Sequence, residues 1–179
     1  MATWIALLKA VNLGGVTMVS MAELRALATE LGLADVRTLL QSGNLLFSCE
    51  GRGAAQLETD LEVAIAKRFG RPAKVFVRDP AVWSAVIAAN PFPDFARDDP
   101  GHMVLSVMKT TPTAEAVADL RAAIVGSETV RAVGRDLYFT YPDGIGDSKL
   151  TTAIIERRLG GATTSRNWNT VLKIAAAVA

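Results

Sequence analysis

The segment TTSRNWNTVLK, residues 163–173, concentrates side chains suited to binding a polar ligand. A guanidinium, two amides and an indole are consecutive there, at Arg166, Asn167, Trp168 and Asn169. Thr164 or Ser165 precedes them as a predicted helix N-cap. Asparagine is unfavourable inside a helix, so two of them indicate a side-chain role, such as hydrogen bonding to a small polar or anionic molecule. The alternative is a C-terminal helix with an anchoring tryptophan and a solvated polar face.

Two glycine-bearing loops could also present backbone N–H groups to an anion. GIGDSK, residues 144–149, places Ser148 and Lys149 at the opening of a predicted helix, where the positive end of the helix dipole favours negative charge. Its spacing is not that of a P-loop, and a turn with Asp147 or Ser148 as N-cap explains it too. NLGG, residues 12–15, is either a turn or a backbone-lined pocket.

The sequence lacks the sets of residues that several common chemistries require. One histidine and one cysteine exclude a zinc cluster and an intramolecular disulfide. His102 begins a predicted strand and is interpreted as a surface or strand-edge side chain, while Cys49 is predicted to pack in the core. Asp94, Asp98 and Asp99 could hold a hard cation, but a solvated acidic loop is preferred. No metal and no cofactor are predicted.

Composition restricts the location and the partners. Half of the 179 residues are hydrophobic, and 19 basic residues against 18 acidic ones leave a net charge of +1. This balance removes the general electrostatic argument for nucleic acid. The predicted third strand, LLFSC, has one aromatic residue and no basic-glycine-aromatic signature, so RNA binding on a ferredoxin-like sheet is disfavoured. No apolar run has membrane-spanning length, and the N-terminus is predicted to be a strand rather than a signal peptide. A cytoplasmic protein is expected, and the sequence predicts no particular protein partner.

The order of predicted elements positions these segments. Through Asp79 the order is β-α-β-β-α-β, a ferredoxin-like unit whose first helix opens with a Ser20–Glu23 capping box. Residues 80–101 are predicted to be a helix followed by a Pro-rich, acidic junction without regular structure. Residues 102–179 repeat the pattern and end in the helix of the opening motif. The fold class is therefore α+β, with two ferredoxin-like units that suggest an internal duplication.

The predicted strands are apolar on both faces. Ile5 and Leu7 alternate with other apolar residues in the first strand, and Leu105 and Val107 do so in the strand after the junction. A sheet with one face in water would carry polar residues on that face. We therefore expect the two halves to cover each other's sheets.

The chain resembles the bacterial domain-of-unknown-function family 1697. The resemblance is carried by LLKAVNLGG, MAELRALATELG, DVRTLLQSGNLLFS, NPF, LYFTYPDGIGDSKLTTAIIERRLG and TTSRNWNTVLKI, which together span nearly the whole chain. It implies a duplicated ferredoxin-like α+β fold and supplies no activity. The family's marked stretches fall on residues 9–15, 41–44, 148–150 and 166–170. Lys9 and Ala10 depart from its Arg-Gly pair, which weakens anion binding by the first loop because lysine lacks the arginine fork.

These segments lead to one hypothesis and two rivals. Loops distant in sequence are predicted to converge on one ligand site, made of Asn12, Gly14, Gly15, Gln41, Ser42, Asn44, Ser148, Lys149, Arg166, Asn167 and Asn169. The first rival is an enzyme that acts on a phosphate-bearing substrate, with Lys149 and Arg166 stabilising charge. The second is a protein-interaction scaffold in which the amides only hold turns.

Overall fold

The computed structural model describes residues 1–9 and 19–179. Over these ranges the elements are β1 (Ala2–Leu8), α1 (Met21–Glu30), β2 (Ala34–Leu39), β3 (Asn44–Cys49), α2 (Ala54–Phe69), β4 (Val75–Arg78), α3 (Pro80–Ala88), α4 (Pro93–Asp98), a 3₁₀ turn (Pro100–His102), β5 (Met103–Val107), α5 (Ala114–Ala122), β6 (Thr129–Val133), β7 (Asp136–Thr140), α6 (Thr152–Leu159), β8 (Thr164–Asn167) and α7 (Trp168–Val178). Residues 1–84 with 174–179 form one compact unit, and residues 85–173 form another. The predicted boundaries after residues 79 and 101 remain a prediction.

The first unit contains a four-stranded antiparallel sheet in the order β2-β3-β1-β4. Helices α1 and α2 pack on one face of it, where Leu24 and Leu61 join Ala6, Phe47 and Val77 in a single core cluster. The element order β-α-β-β-α-β with this strand order is the ferredoxin-like arrangement, as predicted.

Both helices of the first unit begin and end where the sequence predicts. Ser20 precedes α1, and its hydroxyl accepts the N–H of Glu23 at 3.4 Å. The apolar side chains of α2 recur at helical spacing, and Leu57, Leu61 and Ile65 are fully buried. Gly70 ends that helix with φ of +67°, a backbone conformation that glycine adopts without steric cost.

The second unit repeats the arrangement, with its sheet in the order β6-β7-β5-β8. Helices α5 and α6 cover one face, and their residues Leu120, Ile155 and Leu159 pack against Leu137 and Phe139 of β7. The predicted fold class, two ferredoxin-like units, is therefore confirmed.

Central strands of both sheets are buried on both faces, as the sequence predicts. Ile5 through Leu8 are at most 1% exposed, and every residue of β5 is buried. A polar side chain in such a strand needs a hydrogen-bond partner inside the protein. Ser106 of β5 meets this requirement through a 2.6 Å hydrogen bond between its hydroxyl and that of Ser165 in β8.

Two sequence predictions are wrong in the second unit, one for the residues before β5 and one for the start of α6. Residues 89–101, predicted to be irregular, contain α4 and the 3₁₀ turn, because a proline fits the first position of each. The helix predicted from Asp147 begins instead at Thr152. Thr151 is its N-cap, and the hydroxyl of Thr151 accepts the N–H of Ile154 at 3.3 Å.

The predicted start of the last helix is also wrong. Residues Thr164–Asn167 form strand β8, and helix α7 starts only at Trp168. Pairing with β5, in which Arg166 lies opposite Leu105, outweighs the capping tendency of Thr164 and Ser165. In α7, Trp168, Val171 and Ile174 are buried, whereas Leu172 is 44% exposed.

Strand β6 lies at the edge of the second sheet and receives a charged donor from a helix. The Nε of Arg121 in α5 donates to the backbone carbonyl of Val130 at 3.1 Å. Arg131 of the same strand lies over the ring of Phe92, 5.3 Å from its centroid. The edge strand is thus fastened to helical and loop residues of its own unit.

Within residues 1–9 and 19–179, no helix combines the length and the apolar character needed to cross a membrane.

We expect Leu61→Ala to lower the free energy of unfolding by about 2–5 kcal/mol, because the substitution leaves a cavity in the first unit's core. Chemical denaturation followed by circular dichroism measures the change. The matched control is Val63→Ala in the same helix, where the side chain is 63% exposed and the cost should stay below about 0.5 kcal/mol. Equal losses in the two variants would contradict the described packing of α2.

Candidate functional site

A hollow of about 290 Å³ lies in the second unit, between the segment after α5 and the loop after β7. Its lining combines carboxylates, hydroxyls, one ammonium and glycine backbone, from Val125, Gly126, Ser127, Glu128, Asp143, Gly144, Asp147, Ser148 and Lys149. The predicted residues Ser148 and Lys149 are therefore brought together in one concave surface.

Hydrogen bonds fix the two hydroxyls of the hollow. Ser148 donates to the carboxylate of Glu128, and Ser127 donates to that of Asp143. Each bond connects the segment before β6 with the loop after β7, so the walls of the hollow hold each other in place. Burial and the carboxylate of Glu128 raise the pKa of the nearby Tyr141 phenol to about 12, which keeps that phenol neutral.

The charge of the hollow is negative. Glu128, Asp143 and Asp147 place three carboxylates against the one ammonium of Lys149, which leaves two negative charges. Helix α6 begins only at Thr152, so Ser148 and Lys149 lie outside its first turn and the expected helix-dipole site for an anion is absent there. The N–H of Ser148 is bonded to the carbonyl of Ile145 at 3.2 Å. An anion at this loop would therefore meet a net negative charge.

Arg166 is a buried strand residue rather than a surface group. It is 8% exposed, and its Nη1 donates to the hydroxyl of Thr164 at 3.0 Å and to the carbonyl of Ser165 at 2.8 Å. Burial lowers the pKa of the guanidinium to about 10. The group is therefore protonated at neutral pH, and its charge is held inside the fold by oxygen acceptors.

The two asparagines of the motif are both exposed but have different surroundings. The side-chain oxygen of Asn167 accepts the N–H of Thr170 at 2.9 Å, so Asn167 is the N-cap of α7. Asn169 lies beside the 3₁₀ turn, with its amide nitrogen 4.0 Å from the position that a Cβ would take at Gly101.

The turn between β2 and β3 holds three of the predicted residues of the first unit, Gln41, Ser42 and Asn44. Asn44 is fully buried, and its amide nitrogen donates at 2.9 Å both to the carbonyl of Leu39 and to the hydroxyl of Ser42. Gly43 adopts φ of +77° there, while Gln41 and Ser42 are exposed. Asn44 therefore stabilises this turn. The predicted Asn12, Gly14 and Gly15 lie outside the described residues.

Within the second unit the predicted residues form two groups. Ser148 and Lys149 line the hollow, next to the segment that leads into β6, whereas Arg166 and Asn167 belong to β8. In the order β6-β7-β5-β8 those two strands are three spacings apart, about 14 Å. The motif RNWN thus lies at the opposite side of the sheet from the hollow.

The acidic segment considered for a cation is internally paired. Arg97 lies 2.8 Å from carboxylate oxygens of both Asp94 and Asp98, and His102 Nδ1 lies 2.8 Å from Asp99 Oδ2. His102 is exposed, as the sequence predicts. Among residues 1–9 and 19–179, no group of three or more His, Cys, Asp or Glu side chains is placed to hold a metal ion.

Sequence reasoning missed two features of these sites. Cys49 is buried as predicted, but it also has a cationic neighbour, since Nε of Arg52 lies 3.2 Å from its Sγ. Glu128 and Asp143 were not predicted as site residues because each is an ordinary loop acid in sequence. The signal available was spacing: Arg52 follows Cys49 by three residues, whereas Glu128 and Asp143 meet only through the fold.

The sequence profile of the family described as "Protein of unknown function (DUF1697)" matches residues 1–138. The chain belongs to this family. The matched range includes residues 1–84 of the first unit and continues into β7, while GIGDSK and RNWN lie beyond it. No curated protein matches the chain.

The fold of the DUF1697 protein is shared by a solved structure, that of the conserved bacterial protein SP0830 from Streptococcus pneumoniae. The TM-score is 0.76 over 99% of each chain, with 22% sequence identity. At this identity the likeness shows the fold alone.

We expect Asn167→Ala to lower the free energy of unfolding by about 1 kcal/mol, because the first turn of α7 loses its N-cap acceptor. Asn167→Asp should retain most of the stability, since aspartate also caps helices. Asn169→Ala is the control, with an expected change within about 0.5 kcal/mol. Thermal and urea denaturation measure all three, and a larger loss in Asn169→Ala than in Asn167→Ala would refute the capping assignment.

We expect Asn44→Ala to cost about 1–3 kcal/mol of folding free energy, because the part-buried carbonyl of Leu39 loses the amide donor and the buried position of Asn44 loses its side chain. Gln41→Ala, in the same turn but exposed, should stay close to wild type. Urea denaturation of the two variants provides the comparison, and an Asn44→Ala variant as stable as Gln41→Ala would show that the turn does not depend on this side chain.

Proposed function

We propose that this DUF1697 protein binds a small polar molecule carrying a positively charged amine, in the hollow of its second unit. The supporting observation is the charge of that hollow, in which Glu128, Asp143 and Asp147 stand against Lys149 alone. A protonated amine would interact favourably with the carboxylates, and its N–H groups are donors that match their oxygens.

The size of the hollow restricts the ligand. About 290 Å³ is close to the lower end of small-molecule pockets and suits a molecule of amino-acid or diamine size. Ser127 and Ser148 are held by Asp143 and Glu128, so their oxygens have fixed positions from which to accept hydrogen bonds. The exposed side chain of Val125 at the same hollow, 78% accessible, offers an apolar contact for the ligand's carbon chain.

The rival enzyme reaction on a phosphate-bearing substrate has less support. It requires Lys149 and Arg166 near one phosphate, but Lys149 lies among carboxylates and Arg166 lies in β8, on the other side of the sheet. A phosphate in the hollow would meet a net negative charge. The scaffold rival has support at Asn44 and Asn167, whose amides hold a turn and a helix start.

Titration calorimetry and thermal shift with defined probes test the proposal. Putrescine, agmatine and ethanolamine represent the amine class, and inorganic phosphate and citrate represent anions. We expect the amines to bind and to raise the melting temperature, with the effect weakened by added salt because part of the attraction is Coulombic. Binding of the anions without the amines would overturn the proposal.

A matched pair of variants assigns binding to the hollow. Glu128→Gln retains an oxygen acceptor for Ser148 and removes one charge, so amine affinity should fall about two- to fivefold, as for a partly exposed ion pair. Glu115→Gln in α5 removes an equal charge away from the hollow and should leave affinity unchanged. Equal effects in both variants would indicate non-specific charge attraction and refute the site.

A further inference from the structure

The first unit carries a groove of about 450 Å³ beside helices α1 and α2. This α1–α2 groove is lined by Leu27, Glu30, Leu31, Ala64, Lys67 and Arg68. All six residues lie within residues 1–84, so the groove belongs to the first unit alone. Its volume falls in the range of small-molecule pockets in proteins.

The floor of the groove is apolar. Leu27 is 3% exposed and belongs to the core cluster of the first unit, while the half-buried Leu31 and Ala64 pack against that cluster. Ala64 contributes only a methyl group to the lining from α2, so a larger side chain at this position would occupy part of the groove. A hydrocarbon chain placed here would leave water and extend the core of the unit.

The rim of the groove carries two cations and one carboxylate. Arg68 connects the two helices, since its Nη2 lies 2.6 Å from Oε2 of Glu30. Lys67 is exposed, and no carboxylate among the described residues forms an ion pair with it. With Glu30 compensated by Arg68, the groove has one net positive charge, which lies on the ammonium of Lys67.

The charges around the groove keep this sign. Glu23 of α1 also attracts Arg68 through space, but it does not line the groove. After α2 the chain adds Arg71 and Lys74, of which only Lys74 lies near a carboxylate, 4.0 Å from Glu62. A cation in the last turn of a helix stabilises the helix dipole without any ligand. The apolar floor beside Lys67 is the second observation, and the dipole does not explain it.

We infer that the α1–α2 groove binds a small amphipathic carboxylate, such as a fatty acid of medium chain length. The hydrocarbon chain lies on Leu27, Leu31 and Ala64, and the carboxylate accepts hydrogen bonds from the ammonium of Lys67. The flexible stem of lysine lets the ammonium follow the head group at the rim. A small anion without a chain would gain only an exposed ion pair, which contributes little. The ligand therefore needs both parts.

Titration calorimetry of the full chain with octanoate tests this inference. Acetate carries the charge without the chain, and octanamide carries the chain without the charge. We expect acetate to bind at least tenfold more weakly than octanoate, and affinity to rise about two- to fourfold per methylene from butanoate to octanoate. Octanamide should bind about two- to fivefold more weakly than octanoate. No binding of octanoate, or acetate binding as tightly as octanoate, would overturn the inference.

Filling the groove locates the hydrocarbon chain. Ala64→Leu places a good helix former at a half-buried position, so we expect octanoate affinity to fall at least tenfold while the far-UV circular dichroism is retained. Val63→Leu is the control, because the neighbouring side chain is 63% exposed and does not line the groove. Wild-type affinity in Ala64→Leu, or equal losses in the two variants, would refute the site.

A second pair of variants locates the carboxylate and does not depend on repacking. Lys67→Gln should lower octanoate affinity about two- to fivefold and leave octanamide affinity unchanged. Lys173→Gln removes an equal charge from an exposed position in α7 and should change neither affinity. Equal effects of the two variants on octanoate would show general charge attraction and overturn the assignment of Lys67.

A second copy of the chain or an anionic membrane would give different results. Dimerisation through the groove would appear in analytical ultracentrifugation as a wild-type dimer that Ala64→Leu dissociates. Membrane binding would appear as co-sedimentation with phosphatidylglycerol vesicles that Lys67→Gln weakens. Either result without binding of octanoate would overturn the inference.

Discussion

Burial of both faces of the central strands is the constraint on which the rest of each unit depends. Every residue of β5 and β7 is buried, so the polar side chains of these strands need hydrogen-bond partners inside the protein. Ser106 obtains its partner from Ser165, and Thr140 of β7 obtains one from Thr129 of β6. The polar side chains of the edge strands β6 and β8 therefore satisfy polar groups of the interior. Side chains used in this way stabilise the fold rather than bind a ligand.

Burial of the central strands also explains which elements could be predicted from the sequence and which could not. Helix α2 can be read from the sequence because Leu57, Leu61 and Ile65 repeat at helical spacing and Gly70 follows the last turn. Strand β8 is missed because Thr164 and Ser165 also suit a helix N-cap, and no local preference reveals that β5 needs a partner. Residues 164–167 are all polar, so the alternating burial that the structure shows along β8 has no counterpart in an apolar pattern of the sequence.

The candidate sites, too, could be predicted from the sequence only in part. Ser148 and Lys149 could be selected from sequence because they follow glycines in a short polar loop. The charge of their surroundings could not, since Glu128 reaches them from 20 residues away through the second sheet. Similarly, His102 and Asp99 are three residues apart in sequence, but only the 3₁₀ turn places their side chains in contact. The individual residues of a site built from loops can therefore be selected from the sequence, but their arrangement in space cannot.

The bond from Arg121 to the carbonyl of Val130 has a consequence for solubility at high concentration. Outermost strands offer unpaired backbone groups, and such groups allow strands of other molecules to add and to propagate into aggregates. At strand β6 the guanidinium of Arg121 already bonds to the carbonyl of Val130, which an incoming strand would use. Its positive charge also opposes the stacking of further chains. Helix α5, which covers the core, thereby also opposes the addition of strands from other molecules to the edge of the sheet.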